Sequence, residues 1–349
     1  MNEKTDIRQL IPTELEAWFE AADEKKFRVR QLLEWMWTKG INDFNLMTNF
    51  SVELRNKLTA EFDFQRITLI NQQISADKTV KAAFRCYDNQ VIEAVLIPSD
   101  DRVTVCISVQ TGCKMGCTFC ATGLNKQARD LTFWEIFEQV AYSRREASLR
   151  FGAELSNIVV MGMGEPFMNY ENLTRAISLI SGTPGFGMSP SRITVSTVGI
   201  PDMILRAADE DAKFNLAFSL HASTDAERNK IIPINKKHKI DDVIDALKYF
   251  QQQTGGDVTF EYLMLNGVND SPDDLKRLIS LCCNFRVKVN LIPYNIVPGL
   301  PYKSSSDEII DYFVASLSKK GIIAIRRKSR GSDIAAACGQ LAGTGGKSY

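Results

Sequence analysis

The 349-residue sequence has no apolar run of bilayer length, so nothing in it reads as a membrane-spanning helix. It has no excess of either charge. Lys and Arg number 42 and Asp and Glu number 42, so the whole-molecule field does not announce a polyanionic partner, and any nucleic-acid footprint must be local. Compositional bias is missing too: 44% hydrophobic and 24% charged residues exclude a disordered or collagen-like chain. Residues 1–6 lack the basic and greasy blocks of a secretory leader, which makes the cytoplasm the expected compartment. In a reducing compartment structural disulfides are not expected. Three of the eight cysteines, Cys113, Cys117 and Cys120, nevertheless crowd together, where metal or redox chemistry is the natural reading.

Residues 1–76 read as a helical accessory module. Thr13 and Glu16 have capping-box spacing ahead of Leu15, Trp18 and Phe19, and Ser51 can cap a second helix with Leu54, Leu58 and Phe62 on one face. The basic stretch 25–30 reads as a solvated helix face, with RNA contact as the alternative. Residues 77–100 fit a β-hairpin turning at Asp88-Asn89-Gln90.

Over 101–349, strands at 102–109, 157–161, 192–197, 214–221, 258–264, 287–293 and 322–327 alternate with helical stretches, one of them opened by the capping box Thr132-x-x-Glu135. Such alternation implies parallel strands with right-handed crossovers, in a barrel or a doubly wound sheet. Side-chain parity separates the two. Strands of a doubly wound sheet are apolar on both faces, whereas an incomplete barrel with a site inside carries polar residues on one. Val103, Val105, Ile107 and Val109 alternate with Thr104, Cys106, Ser108 and Gln110, and the strands holding Ser196, Ser219 and Glu261 behave the same way. The expected fold class is therefore α/β, a partial parallel barrel with a polar lumen. Barrel sites lie at the carboxyl ends of strands, which directs attention to 110–120, 162–165, 196–199, 219–221 and Asn295.

Cys113-x-x-x-Cys117-x-x-Cys120 leaves the first barrel strand with three thiols, one short of a closed tetrahedral site. Spacing alone leaves two readings: a zinc completed by His221 or Cys338 from afar, or a [4Fe–4S] cluster with one open iron. With Phe119 before the last cysteine, the loop resembles the signature of the radical S-adenosylmethionine (SAM) superfamily. Gly162-Met163-Gly164-Glu165-Pro166, after the next strand, resembles that superfamily's site for the SAM amino group, with Gly164 and Glu165 the matching residues. Ser196, Ser219-Leu220-His221 and Asn295 end strands on the same rim and complete the expected cofactor site.

Residues 330–341, Arg-Gly-Ser-Asp-Ile-Ala-Ala-Ala-Cys-Gly-Gln-Leu, closely resemble the C-terminal motif of the RlmN/Cfr family of RNA adenosine methyltransferases, and Cys106-x6-Cys113 resembles its upstream spacing. Pro166 and the N-terminal Phe27-Arg28-x-x-Gln31-Leu32-x-x-Trp35 look like the RlmN branch rather than the C8-methylating Cfr-like one. The resemblance implies one [4Fe–4S] cluster on Cys113, Cys117 and Cys120, and two SAM molecules per turnover. It implies that Cys338 is methylated first, and that a 5′-deoxyadenosyl radical then takes hydrogen from the S-methyl group. The carbon would add to adenine C2, with Glu93 as proton acceptor and Cys106 as the thiol that resolves the adduct through a transient disulfide with Cys338. From its own strand pattern Glu93 reads as an edge charge that blocks aggregation; only the resemblance makes it a base. The implied partners are 23S rRNA, tRNA and an electron donor such as flavodoxin, with a monomer expected and no membrane. The other expectation kept from residue chemistry is a non-catalytic, zinc-stabilised RNA-binding protein. Basic groups at Lys25–Arg30 in sequence, at Arg228, Lys230 and 236–239, and at 326–330 are candidate phosphate contacts.

Overall fold

The computed structural model describes residues 4–125, 127–283 and 285–343, so the first three residues of the stretch 1–6 lie outside them. An N-terminal module begins with β1 (Thr5–Asp6), which pairs in parallel with β2 (Phe62–Asp63). Between them, helices Pro12–Ala21, Phe27–Leu33 and Val52–Glu61 bury Phe19, Leu32 and Leu58. Ser51 caps the third helix by accepting from the Leu54 amide, as its position predicts. The first helix departs from expectation: it starts at Pro12, where proline costs no hydrogen bond, and Glu14 rather than Glu16 accepts the Ile11 amide at 2.9 Å.

The main sheet has ten strands: β3 (Thr68–Ile74), β4 (Val80–Arg85), β5 (Val91–Pro98), β6 (Val103–Cys106), β7 (Asn157–Val160), β8 (Ile193–Thr197), β9 (Asn215–Ser219), β10 (Val258–Met264), β11 (Lys288–Pro293) and β12 (Ile323–Arg326). Each pairs with the next in chain order, antiparallel from β3 to β6 and parallel from β6 to β12. The expected hairpin, β4 and β5, is thus the inner pair of a three-stranded extension. Residues 68–74, expected inside the helical module, form its outer strand.

Helices cover one face of the parallel strands. The capping box at Thr132 and Glu135 is formed, and the helix Phe133–Phe151 that it opens buries Phe133, Ile136, Phe137 and Val140, a stripe with helical spacing. On the other face, Thr104, Cys106, Thr194, Thr259, Glu261 and Arg327 line one cavity of about 590 Å³. That cavity touches both β6 and the residue that ends β12, yet the sheet runs open from β12 to β3, so its parallel part curls into a partial barrel with the expected polar lumen. Among the described residues, no helix is long and apolar enough to cross a membrane.

Buried charge fixes the N-terminal module to the barrel. Arg8, almost wholly buried, donates to Asp6 and to Glu138 of the helix Phe133–Phe151, and its guanidinium lies over the rings of Phe64 and Trp134. Glu138 also accepts the Ile67 amide at 2.7 Å, so one carboxylate ties the module, the linker and the barrel helix together.

Candidate active site

The loop after β6 is held by its own backbone. Cys113 donates its amide to Asn125 O at 3.1 Å, Thr118 to Ile231 O at 3.0 Å, and Thr118 and Tyr302 share a hydroxyl bond of 2.6 Å. These bonds place the Cys113, Cys117 and Cys120 side chains on a cavity of about 150 Å³ at the mouth of the barrel. Burial pushes the Cys113 thiol up to about 12 and raises Cys117 and Cys120 as well. Three buried thiols in one place hold little thiolate by themselves, so the site suits a cationic group that would take their protons' place. Among the described residues no three His, Cys, Asp or Glu side chains gather as ligands of a single ion. A zinc would ask its thiolates to converge at about 2.3 Å from one point. A cuboidal cluster takes each thiolate at a different iron, and a donor set of three thiols on one cavity suits it.

Glu165 sits across the same cavity, fully buried. One carboxylate oxygen accepts the Val198 amide at 2.9 Å and the other the Phe167 amide at 3.2 Å. Burial nevertheless raises its carboxyl to about 7. Such a group gains most from a cationic ligand that supplies the missing countercharge. Gly164 has φ +106°, and a Cβ there would stand 2.6 Å from the Cβ of Gln110, so only glycine lets this loop pass the β6 loop. Ser196 and Ser219, whose hydroxyls lie 3.2 Å apart, and His221 line the cavity beside it. His221 Nδ1 accepts the Leu263 amide at 3.0 Å, which puts the ring proton on Nε2 as a donor. Burial, with Arg228 adding to it, lowers this imidazole to about 3, so it stays neutral. Leu220 differs from its neighbours: its side chain is wholly buried, and its carbonyl accepts from Arg228 Nε at 2.9 Å.

Cys338 stands where the two cavities meet, and Cys106 opens onto the larger one. All eight cysteines are free thiols. Burial, and then the proximity of Cys338, pushes the Cys106 thiol up to about 12. Asn295 donates to Cys338 O at 3.2 Å, so its contact is with the cysteine segment. Glu93 lies on β5, an interior strand, which removes the edge-charge explanation. It is buried; one oxygen accepts the amides of Ala342 at 3.0 Å and Gly343 at 3.3 Å, and the other has no hydrogen-bond partner.

Two lumen residues form a pair that sequence did not foresee: Glu261, read only as polar-face, and Arg327, read as a phosphate contact. Arg327 and Glu261 form an ion pair of 3.4 Å, and Asn290 donates to Glu261 at 2.8 Å. Proximity to Cys338 is the main cause that raises the Arg327 guanidinium above its ordinary value. Parity already put Glu261 on the polar face; its partner comes from a strand end distant in sequence. The basic patches fare unevenly. Arg228 is wholly buried, donating to Leu220 O, Asn235, Val198 O and Ser219 O, so it is no phosphate contact. Arg326 is paired with Asp307 and Asp311. Lys25, Lys26, Arg30, Lys236, Lys237, Lys239 and Lys328 remain exposed.

A partial barrel with three cysteines on its first loop and a glycine-bounded carboxylate on its second is the arrangement of a radical SAM enzyme. Two family models match accordingly: the Radical SAM superfamily over residues 107–280, and the ribosomal RNA large subunit methyltransferase N-terminal domain over residues 5–63. The crystal structure of a radical SAM methyltransferase from Sphaerobacter thermophilus superposes with a TM-score of 0.91 at 39% identity, covering 97% of this chain and 99% of that one. A probable dual-specificity RNA methyltransferase RlmN of Flavobacterium psychrophilum is 44% identical over 97% of this chain and 98% of its own length. The dual-specificity RNA methyltransferase RlmN of Geotalea uraniireducens is 41% identical over 98% and 97%. The chain belongs to the RlmN family of radical SAM RNA methyltransferases, which implies SAM and a [4Fe–4S] cluster. Membership removes the non-catalytic zinc reading.

Proposed function

We propose that this enzyme methylates C2 of an adenosine in 23S rRNA and of an adenosine beside the anticodon in tRNAs, using Cys338 as a methyl carrier. The observation that carries the reading is the position of Cys338 between the cysteine-loop cavity and the lumen that holds Cys106. Adenine C2 is electron-poor and has no acidic proton, so polar attack on a SAM methyl is closed to it.

Cys113, Cys117 and Cys120 would hold one [4Fe–4S] cluster, with Gly164, Glu165, Ser196, Ser219, Leu220, His221 and Asn295 shaping the SAM site. When bound, the reduced cluster and SAM supply a carbon radical able to take a hydrogen atom from the S-methyl group. Glu165 meets the SAM ammonium, and His221 donates from Nε2. Cys338 carries the one-carbon unit, first as a thioether and then as a bond to adenine. The adduct would give back one electron to the cluster that SAM cleavage left oxidised, and Glu93 accepts the C2 proton through Oε1, which has no hydrogen-bond partner. Cys106, as thiolate, attacks the Cys338 sulfur: the S–S bond forms as the C–S bond breaks, and the released carbon takes a proton. An electron donor such as flavodoxin would supply reduction, and the compartment is the cytoplasm.

Anaerobic reconstitution with iron, sulfide, SAM, reductant and rRNA or tRNA fragments, followed by nucleoside mass spectrometry, tests this. The expected product is 2-methyladenosine, absent with Cys338→Ala. An 8-methyl product would move the enzyme to the Cfr-like branch, and methylation retained by Cys338→Ala would remove the carrier.

A further inference from the structure

We propose that the turn between β3 and β4 is a positioning element for Cys338: Ser75 and Asp77 clip Gly331 and Asp333 to the sheet extension, and so fix the root of the segment that holds the sulfur over the lumen. The inference rests on Cys338 being the methyl carrier. It accounts for the part of the 330–341 motif that the chemistry leaves unused.

The clip is built from both sides. Ser75 Oγ donates to Asp333 Oδ1 at 2.6 Å and the Ala76 amide to Oδ2 at 3.2 Å, while the Gly331 amide donates to Asp77 Oδ2 at 3.1 Å. Lys81, on the strand that follows, donates to Ala335 O at 3.3 Å, and Arg330 adds an ion pair with Asp77 at 3.8 Å. Close approach is enforced at Gly331, φ +64°, where a Cβ would lie 2.9 Å from Thr79 Cγ2 and from Ala336 Cβ. Partial burial raises the Asp77 carboxyl, but bonds from Thr79, Gly331 and Ser75 outweigh it and hold the group at about 2, so this side of the clip stays charged at physiological pH.

The far side of Cys338 is held independently: Ala121 donates its amide to Gly339 O at 2.8 Å and Thr122 Oγ1 to Leu341 O at 2.6 Å. With both anchors made, the sulfur rides on the few residues between Ala335 and Gly339. Without the clip, the tether begins at the end of β12, and the local concentration of the sulfur at the mouth falls.

Asp333→Ala, and from the other side the double variant Ser75→Ala/Asp77→Ala, test the clip in the reconstituted full-length enzyme. The readouts are 5′-deoxyadenosine formed per methylated nucleoside, the fraction of Cys338 found S-methylated by peptide mass spectrometry, and amide exchange over residues 335–343. A displaced sulfur wastes SAM cleavage, so the ratio should rise about tenfold, S-methylation should fall and exchange should quicken. Asp333→Asn keeps an oxygen that can accept from Ser75 and should recover part of the coupling. Lost thermal stability alone would lower product and 5′-deoxyadenosine together and leave the ratio in place. A ratio within about twofold of the parent in both variants overturns the clip, because misplacement of a reacting atom by 1 Å costs far more. Should Asp333→Ala fail to fold, the hairpin double variant decides by the same ratio. The carrier itself fails only if Cys338→Ala still methylates RNA, so the two failures are distinguishable.

Discussion

Lys81 lies diagonally across β4 and β5 from Glu93, its Nζ 3.8 Å from Oε1, and both side chains are almost wholly buried. Oε1 has no hydrogen-bond partner, so this cation is its countercharge. Lys81→Met should therefore lower unfolding free energy by about 3 kcal/mol, the usual cost of stranding a buried charge. The double variant Lys81→Met/Glu93→Gln should recover much of that loss in urea denaturation, though not RNA methylation, for which Glu93 is the proposed base. A single-variant loss below about 0.5 kcal/mol would mean that Lys81 is not the countercharge.

The proposed contact of Glu165 with the SAM ammonium gives SAM binding a pH dependence with a definite sign. Its carboxyl, raised to about 7 by burial, is neutral below that pH and charged above it. Free-enzyme stability from this group is complete below the ordinary carboxylate range and is lost as pH rises through 7. Affinity for the SAM ammonium runs the other way and should tighten between about pH 6 and 8. Neutral His221, held at about 3, adds no step in that range. Glu165→Gln should flatten the profile and weaken binding by about ten- to a hundredfold, the value of a charged hydrogen bond. Equilibrium dialysis of SAM against reconstituted enzyme measures both.

Arg228 is a structural residue despite its basic neighbours. Its guanidinium bonds four groups from β9, the loop after β8 and the turn at Asn235, and burial lowers it to about 10. Arg228→Met should cost about 3–5 kcal/mol, because three carbonyls and an amide oxygen lose their donor in the interior. Lys230→Met, on the same helix but more exposed, should leave thermal stability nearly unchanged.

What sequence revealed and what it hid follow from the range of each signal. Alternation is local, so the lumen was legible from Thr104, Cys106, Thr194 and Glu261, and the motif loops followed from strand ends. The first barrel strand was drawn too long because Ile107 and Val109 continue the alternation. In the structure they leave β6, although their amides still bond Val159 O and Met163 O. Strand β3 was missed because Leu69, Ile70 and Ile74 are exposed on a sheet edge and give no consistent apolar face. The fate of Arg228, the Arg327–Glu261 pair and the Ser75–Asp333 clip depend on contacts between distant segments, which no local pattern carries.

Cys106 and Cys338 provide the decisive kinetic partition. Cys106 opens onto the lumen that Cys338 faces, and its thiol, at about 12, is protonated until substrate chemistry brings it a base. Arg327 already tempers that rise, because its charge favours the Cys106 thiolate. Cys106→Ala removes the proposed attacking sulfur and should spare carrier methylation and carbon addition. RNA should then remain bound to Cys338 through one carbon, visible as a denaturation-resistant band that nuclease digestion trims to a nucleotide on the Cys338 peptide. Arg327→Met should slow release without abolishing it, by about ten- to a hundredfold for the loss of a buried charged partner. Free methylated RNA from Cys106→Ala at the parental rate would show that another group cleaves the adduct.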